Sequence, residues 1–326
     1  MYRRSLFAAA LSAAPLSVAP WVAARGQDYP SRPVRLVVGF PPGGGTDLVA
    51  RPFAAGAQAA LGQSLVVDNR GGANGGVGLE VVAKSPADGY TLGHVNSSVV
   101  VTNPLLYRNH PVVVARDLVP ICTVADSAVV LAVPADLPAK DLRELVALAR
   151  SKPGELHFGS GGLGSVDHLA FEVVKKQTGV DFLHVPYRGG GPALNDMLGG
   201  RVQLMISSYG MYKGQVDAGK VRIVAILGRS RHPALPDVPT AIEQGWPDLV
   251  VTSWQGVVAP AGTASAILDR VESAYRQAAA QPEMKKLMES LGYFPVFRGR
   301  SEAAALLRDD TAKWSAIIGE LKIQLD

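Results

Sequence analysis

Two segments of this chain carry residues whose types and spacing suit the capture of an anion. The first runs Phe40-Pro41-Pro42-Gly43-Gly44-Gly45-Thr46-Asp47. It follows an apolar run and opens an amphipathic one, so it reads as the turn from a buried strand into a helix. The prolines stiffen this turn and the glycines leave its backbone bare. N–H groups at a helix start carry partial positive charge and find no partner inside the helix. They bind anions without help from lysine or arginine. Thr46 or Asp47 is placed to cap the helix, and a capping carboxylate uses some donors, so the anion is expected on the Gly43–Gly45 side. The second segment is Phe158-Gly159-Ser160-Gly161-Gly162-Leu163-Gly164-Ser165-Val166-Asp167-His168. It repeats the order of strand, glycine loop and helix, with Ser165 as N-cap. Two such helix starts point to a ligand held at both ends.

Other chemistry finds less support. Gly159, Gly161 and Gly164 spell G-x-G-x-x-G, and Asp181 stands at about the spacing of a ribose-binding acid. That acid should follow a strand, however, and Asp181 precedes one. Ser165, Asp167 and His168 suggest a catalytic triad, yet within one helical turn they cannot converge as nucleophile, base and orienter. No G-x-S-x-G is present. His94, His110, His157, His168, His184 and His232 show no H-E-x-x-H or Cys–His spacing, so neither a metal nor a cofactor is expected. His168 reads as a cap or cleft-wall residue, and His184, alternating with Phe182 and Val185, as structural.

The elements that must position the two loops follow from periodicity. Arg35–Gly39 and Leu65–Val67 read as strands with a helix over Asp47–Leu61 between them, stopped by Gly62. A second alternating block begins near Val129. It has helices over Lys140–Arg150 and Ser165–Gln177, and strands at His157–Phe158, Phe182–Val185, Val202–Ile206 and Val221–Leu227. Trp254–Ala259 is a further strand, and helices over Ala264–Ala279, Pro282–Leu291 and Ser301–Leu321 complete the chain. Strand–helix alternation implies largely parallel sheets covered by helices, and two blocks imply two lobes. No linker separates them, so Ser127–Val133 and Val251–Val258 are the expected crossing strands. The C-terminal helices are expected to return to the first lobe.

Length and composition agree. At 326 residues, with 18% of them charged, the chain suits two globular lobes. Arg3 and Arg4, the apolar Leu6–Val18 and the small Val22-Ala23-Ala24 resemble a cleaved export signal. Pro15 and Pro20 argue against a membrane span. Loss of Arg3 and Arg4 lowers the formal charge from +4 by two, to about +2. That is too weakly basic, and too scattered, for nucleic acid. Cys122 is the single cysteine and, among apolar neighbours, reads as a buried thiol.

At the level of whole motifs, the chain resembles the Bug-type periplasmic substrate-binding proteins of tripartite tricarboxylate transport systems. The matching stretches are Tyr29–Pro33, Phe40–Asp47, Val66–Arg70, Ala87–Thr91, His184–Gly189 with Pro192-Ala193, Leu235–Thr240, Trp254 and Ala259–Thr263. The resemblance implies an α/β, two-lobed type II periplasmic-binding-protein fold of Venus-flytrap form, with parallel or mixed sheets and two crossing hinge strands. It implies lobe 1 over 25–126 and 253–326, lobe 2 over 127–252, and a signal peptide over 1–24. It implies no enzyme activity, a monomer, and a small carboxylate held largely by backbone groups and water. Carried over, the ligand residues are Pro42, Gly43, Gly44, Thr46 and Asp47 on one side. On the other they are Ser160, Gly161, Gly162, Gly164 and Ser165, with His168 and Tyr187 nearby. Ser97 is expected at the variable end of the ligand. Ser207-Ser208-Tyr209 stands where relatives often place an acid, which disfavours an amino-acid ligand. Arg188 is expected as a rim charge. The implied partners are membrane transporter subunits or, in an alternative sensing role, the outer domain of a sensor kinase.

Overall fold

The computed structural model describes residues 29–187 and 189–325. The expected signal segment and Arg188 lie outside the described residues. The first part of the chain forms β1 (Val34–Val38), α1 (Gly45–Leu61), β2 (Leu65–Asn69), α2 (Gly76–Ala83) and β3 (Thr91–Asn96). A π-helical turn over Ser98–Thr102 then leads into α3 (Asn103–Leu106), α4 (Val114–Asp117) and β4 (Leu118–Ser127). The middle holds β5 (Val129–Pro134), α5 (Leu142–Ser151), β6 (His157–Ser160), α6 (Val166–Thr178) and β7 (Leu183–Pro186). It continues with α7 (Gly190–Leu198), β8 (Leu204–Ser208), α8 (Tyr209–Asp217) and β9 (Val221–Ile226). The last part is β10 (Trp254–Pro260), α9 (Ser265–Ala280), α10 (Pro282–Ser290), β11 (Tyr293–Phe294) and α11 (Arg300–Leu321).

These strands make two mixed sheets, ordered β11-β4-β10-β3-β1-β2 and β7-β6-β8-β5-β9. β1 lies parallel to β2 and β3, and β6 parallel to β7 and β8. The sheets depart from all-parallel order where β10 runs antiparallel to β3 and β4, and β5 antiparallel to β8 and β9. The chain passes between sheets at Ala128. Its N–H donates to Gly292 O, and its carbonyl accepts from Tyr209 N. It returns after β9 through an irregular stretch, where Val251 N donates to Leu227 O and Ser127 N donates to Ser253 O. The two expected crossing segments are thus hydrogen-bonded neighbours.

Packing explains the rest. α1 buries Val49, Ala50, Phe53, Ala57 and Leu61 against Val271, Ala274, Tyr275 and Ala278 of α9, with Phe53 stacked on Tyr275. α1 ends at Gly62, whose left-handed φ of 77° closes a bond to Gln58 O. α5 opens with an N-cap: Asp141 accepts from Glu144 N, and Glu144 reaches back to accept from Lys140 N. α9 and α10 cover the first sheet as expected. α11 does more, because it packs on β4 and the π-helical turn and also on α6 of the second sheet. Trp314 and Ile318 are its buried anchors, and Cys122 is buried.

Candidate functional site

Between the two sheets lies a cavity of about 270 Å³. Its walls come from the carboxyl ends of parallel strands, where ligands of α/β sheets bind. The first sheet contributes Phe40, Pro41, Gly44, Gly45 and Thr46 after β1, and Asn96 and Ser98 after β3. The second contributes Val166 and Asp167 after β6, and Ser207, Ser208 and Met211 at β8 and α8. Ser127, Val129, Ser253, Gln255 and Tyr293 close the hinge side. A larger groove of about 710 Å³ lies between the α3–α4 region and α11. Its lining is mainly Val, Leu, Ala and Pro, with Arg108, His110, Arg308, Thr311 and Ser315 among them, but it lies away from the carboxyl ends of the parallel strands, so volume does not choose the site. The arrangement of donors and acceptors does.

The first loop is built by Asp47. Its buried carboxylate accepts from Gly43 N at 2.9 Å, Arg51 Nε at 2.8 Å and Asn69 Nδ2 at 2.9 Å. Burial alone would raise its pKa, but these hydrogen bonds outweigh burial and hold it below the ordinary value. Gly43, at φ 78°, takes a conformation that glycine adopts without strain. The Gly43 and Gly44 N–H groups are therefore taken, by Asp47 and by Pro41 O. The next three amides, of Gly45, Thr46 and Asp47, have no acceptor among the described residues. The bare donors thus begin two residues beyond Gly43. Thr46 Oγ1 accepts from Asn96 Nδ2 at 3.2 Å, which ties the helix start to the end of β3. Pro42 and Gly43 lie exposed outside the cavity lining.

The second loop is more self-satisfied. Ser160 is fully buried, and its hydroxyl lies 2.7 Å from His184 Nε2 and 3.2 Å from Gly162 N and O. Ser165 caps α6 by accepting from His168 N, and His168 Nδ1 accepts from Gly164 N. His168 stacks on His184 at 4.4 Å, and burial holds both below the ordinary histidine pKa. Gly161 O accepts from Gly189 N, and a Cβ at Gly164 would strike Leu325. Tyr187 turns its hydroxyl to Asp196, 2.8 Å away. Ser97 donates to Ser253 at 3.2 Å, and its neighbour Ser98 faces the cavity. Of the anticipated residues, Gly44, Thr46 and Ser207 line the cavity. Asp47, Ser97, Ser160, Gly161, Gly162, Gly164, Ser165, His168 and Tyr187 stand behind it or beside it. Asn96, Ser98, Ser127, Asp167, Ser208, Ser253, Gln255 and Tyr293 are the lining polar residues that sequence reasoning missed as ligand contacts. Only Asp167 left a signal, its place in the first turn of α6.

Asp167 is the one charged side chain lining the cavity among the described residues. Burial raises its pKa to about 7. The amides of Gly161 and of Asp167 itself oppose that shift only in part, since neither makes a well-formed hydrogen bond to it. Among the described residues, no group of three or more His, Cys, Asp or Glu is placed to hold a metal.

Comparison with known proteins places this geometry. Residues 49–323 match the model of the tripartite tricarboxylate transporter family receptor. A Pseudomonas sp. (strain P51) protein encoded between tcbD and tcbE is 38% identical over 90% of this chain and 88% of its own. BugT of Bordetella pertussis is 36% identical over 91% of each. Among solved structures, Rpa4515 of R. palustris with adipate superposes with a TM-score of 0.84 at 34% identity, covering 91% of this chain and 99% of that one. The periplasmic binding protein BugD gives 0.80 at 31%, covering 91% and 99%. MatC from Rhodopseudomonas palustris with bound malate gives 0.79 at 30%, covering 89% and 100%.

Proposed function

The chain belongs to the tripartite tricarboxylate transporter receptor family, and from that premise we propose that it captures a small carboxylate between two lobes outside the cytoplasm. The family is one of solute-binding proteins rather than enzymes. One observation carries the reading: the amides of Gly45, Thr46 and Asp47 at the start of α1 have no partner among the described residues, and Gly45 and Thr46 line the cavity across from α6 and β8. A buried carboxylate is costly unless its oxygens find donors, and these amides supply them without a counter-charge. Adipate and malate on two relatives of the same fold support a carboxylate here. In this reading Gly44, Gly45, Thr46, Asn96 and Ser98 belong to the carboxylate side. The lobes divide at Ser127 and Ser253, and closure swings them about Ala128. The bound form is then offered to membrane transporter subunits. The N-terminal signal would bring the chain to the periplasm.

A melting-temperature screen against mono-, di- and amino-carboxylates tests this, because a ligand that binds only the folded state raises the melting point. At a hundredfold excess over Kd the gain is about 2.7 kcal/mol, several degrees for a chain of this size. Gly45→Asp places a carboxylate in the first turn of α1, where it suits the helix but fills the anion position. A Cβ here would lie 3.1 Å from the Tyr293 hydroxyl, so a modest loss of stability is expected for the free variant, which still melts cooperatively, with the ligand-induced rise gone. A full rise in the variant contradicts the assignment of this loop.

A further inference from the structure

The cavity is bipolar. One end offers the free amides at the start of α1, with Gly45 and Thr46 in the lining. Elsewhere its lining offers acceptors that nothing among the described residues satisfies. Gln255 is 4% exposed, lines the cavity, and has no donor for Oε1. The Asp167 carboxylate lines the opposite wall, with no lysine, arginine or histidine in the lining among the described residues. The side chains of Ser207 and Ser208 stand beside it without hydrogen bonds of their own in the protein. Behind it the buried hydroxyl of Tyr212 on α8 also lacks a partner, and the charge of Asp167 bears on it.

We propose, resting on the carboxylate reading above, that Asp167 selects a protonated amine at the end of the ligand remote from the α1 amides. The receptor then takes amino-carboxylates ahead of dicarboxylates of equal length. The physical case is one of charge. A second ligand carboxylate beside Asp167 would place two anions in a water-poor cleft with no cation to offset them, unless a proton were shared. An ammonium offsets Asp167 directly, and its other two protons suit the oxygens of Ser207 and Ser208. The raised pKa of Asp167 fits a carboxylate waiting for its counter-ion. Sequence reasoning disfavoured an amine because residues 207–209 lack an acid. The structure brings an acid to the same cavity wall from α6 instead.

Matched pairs test the inference by titration calorimetry on the full mature chain: β-alanine against succinate, 4-aminobutanoate against glutarate, and 5-aminopentanoate against adipate. The expected result is that the amino member of at least one pair binds about tenfold tighter or more. Asp167→Asn should weaken that member by about thirtyfold or more, the lower range for breaking a desolvated ion pair, and should strengthen the dicarboxylate. Tighter dicarboxylate binding by the wild type, or equal effects of Asp167→Asn on both members, overturns the role of Asp167 and leaves the carboxylate reading standing. No binding by any member overturns both. If Asp167→Asn does not fold, the wild-type ratio within each pair decides alone.

Discussion

Two aspartates do opposite work at one cavity, Asp47 behind its wall and Asp167 in it. Asp47 is ionised and fully partnered, and it shapes the first loop by holding Gly43 N–H. Asp167 is poorly partnered and titrates near neutrality. Histidines beneath the loops add a third behaviour. Burial lowers His94 and His184 to about 4, against an ordinary value of 6.5. Between pH 6.5 and 4 the unfolded chain binds protons that the native chain refuses, so stability falls with pH across that window and levels off below it. The expected loss is about 3 kcal/mol for the fully buried His94 and less for the half-buried His184, where solvent screens the charge. Asp167 acts in reverse. Its native pKa lies above the unfolded one, so its contribution is full below 3.8 and fades as pH rises through about 7. Urea midpoints measured from pH 8 to 4 should fall below 6.5, by less than the histidines alone would give because Asp167 opposes them, and His184→Asn should flatten the slope. An unchanged slope in that variant would remove His184 from the account.

At the scale of elements, the second loop is held by a close approach. Gly164 has φ 72°, and a Cβ there would lie 2.5 Å from Leu325 Cδ1 and 3.1 Å from Leu106 Cδ1. Leu325 in turn donates its N–H to Leu106 O. Gly164→Ala should cost about 1–2 kcal/mol for the left-handed backbone and about 1–3 kcal/mol for overpacking. Adding Leu325→Ala should return only the second part, so urea denaturation of the four-member cycle should show coupling of about 1 kcal/mol or more. Strict additivity would mean that the tail does not rest on the loop. Legibility in the sequence follows the same logic of local against distant contact. The run Val34–Val38, fully apolar but for Arg35, and helices ended by Gly62 and Gly179 were readable, because one short window carries the signal. β4 was not, since Pro120 argues against a central strand; it is accommodated opposite Val258 beside a register shift. Val99–Val101 favours extended backbone by composition, yet lies in the π-helical turn. Glycines at 189–191, 210 and 214 hid α7 and α8. Gly44 was legible in the cavity lining for the same local reason, whereas Gly43, Gly161, Gly162 and Gly164 lie outside it. Asn96, Ser127, Ser253, Gln255 and Tyr293 were not, because strands far apart in sequence bring them together.

For the whole molecule, two adjacent crossings at Ala128 and Val251–Ser253 form the pivot, and α11 straps the back. Trp314 and Ile318 of α11 lie in a core that also includes residues of the second sheet, and Lys176 on α6 pairs with Glu320 at 2.6 Å. In the proposed closure, these contacts confine the movement to the cleft side. The central claim is that bare backbone amides of α1 receive the ligand's carboxylate. Amide resonances followed by nuclear magnetic resonance during titration with a binding carboxylate test this most directly. The account predicts large downfield proton shifts for Gly45, Thr46 and Asp47, with Gly43 little changed because Asp47 already holds it. Shifts confined to other residues, with those three amides unmoved, would contradict it.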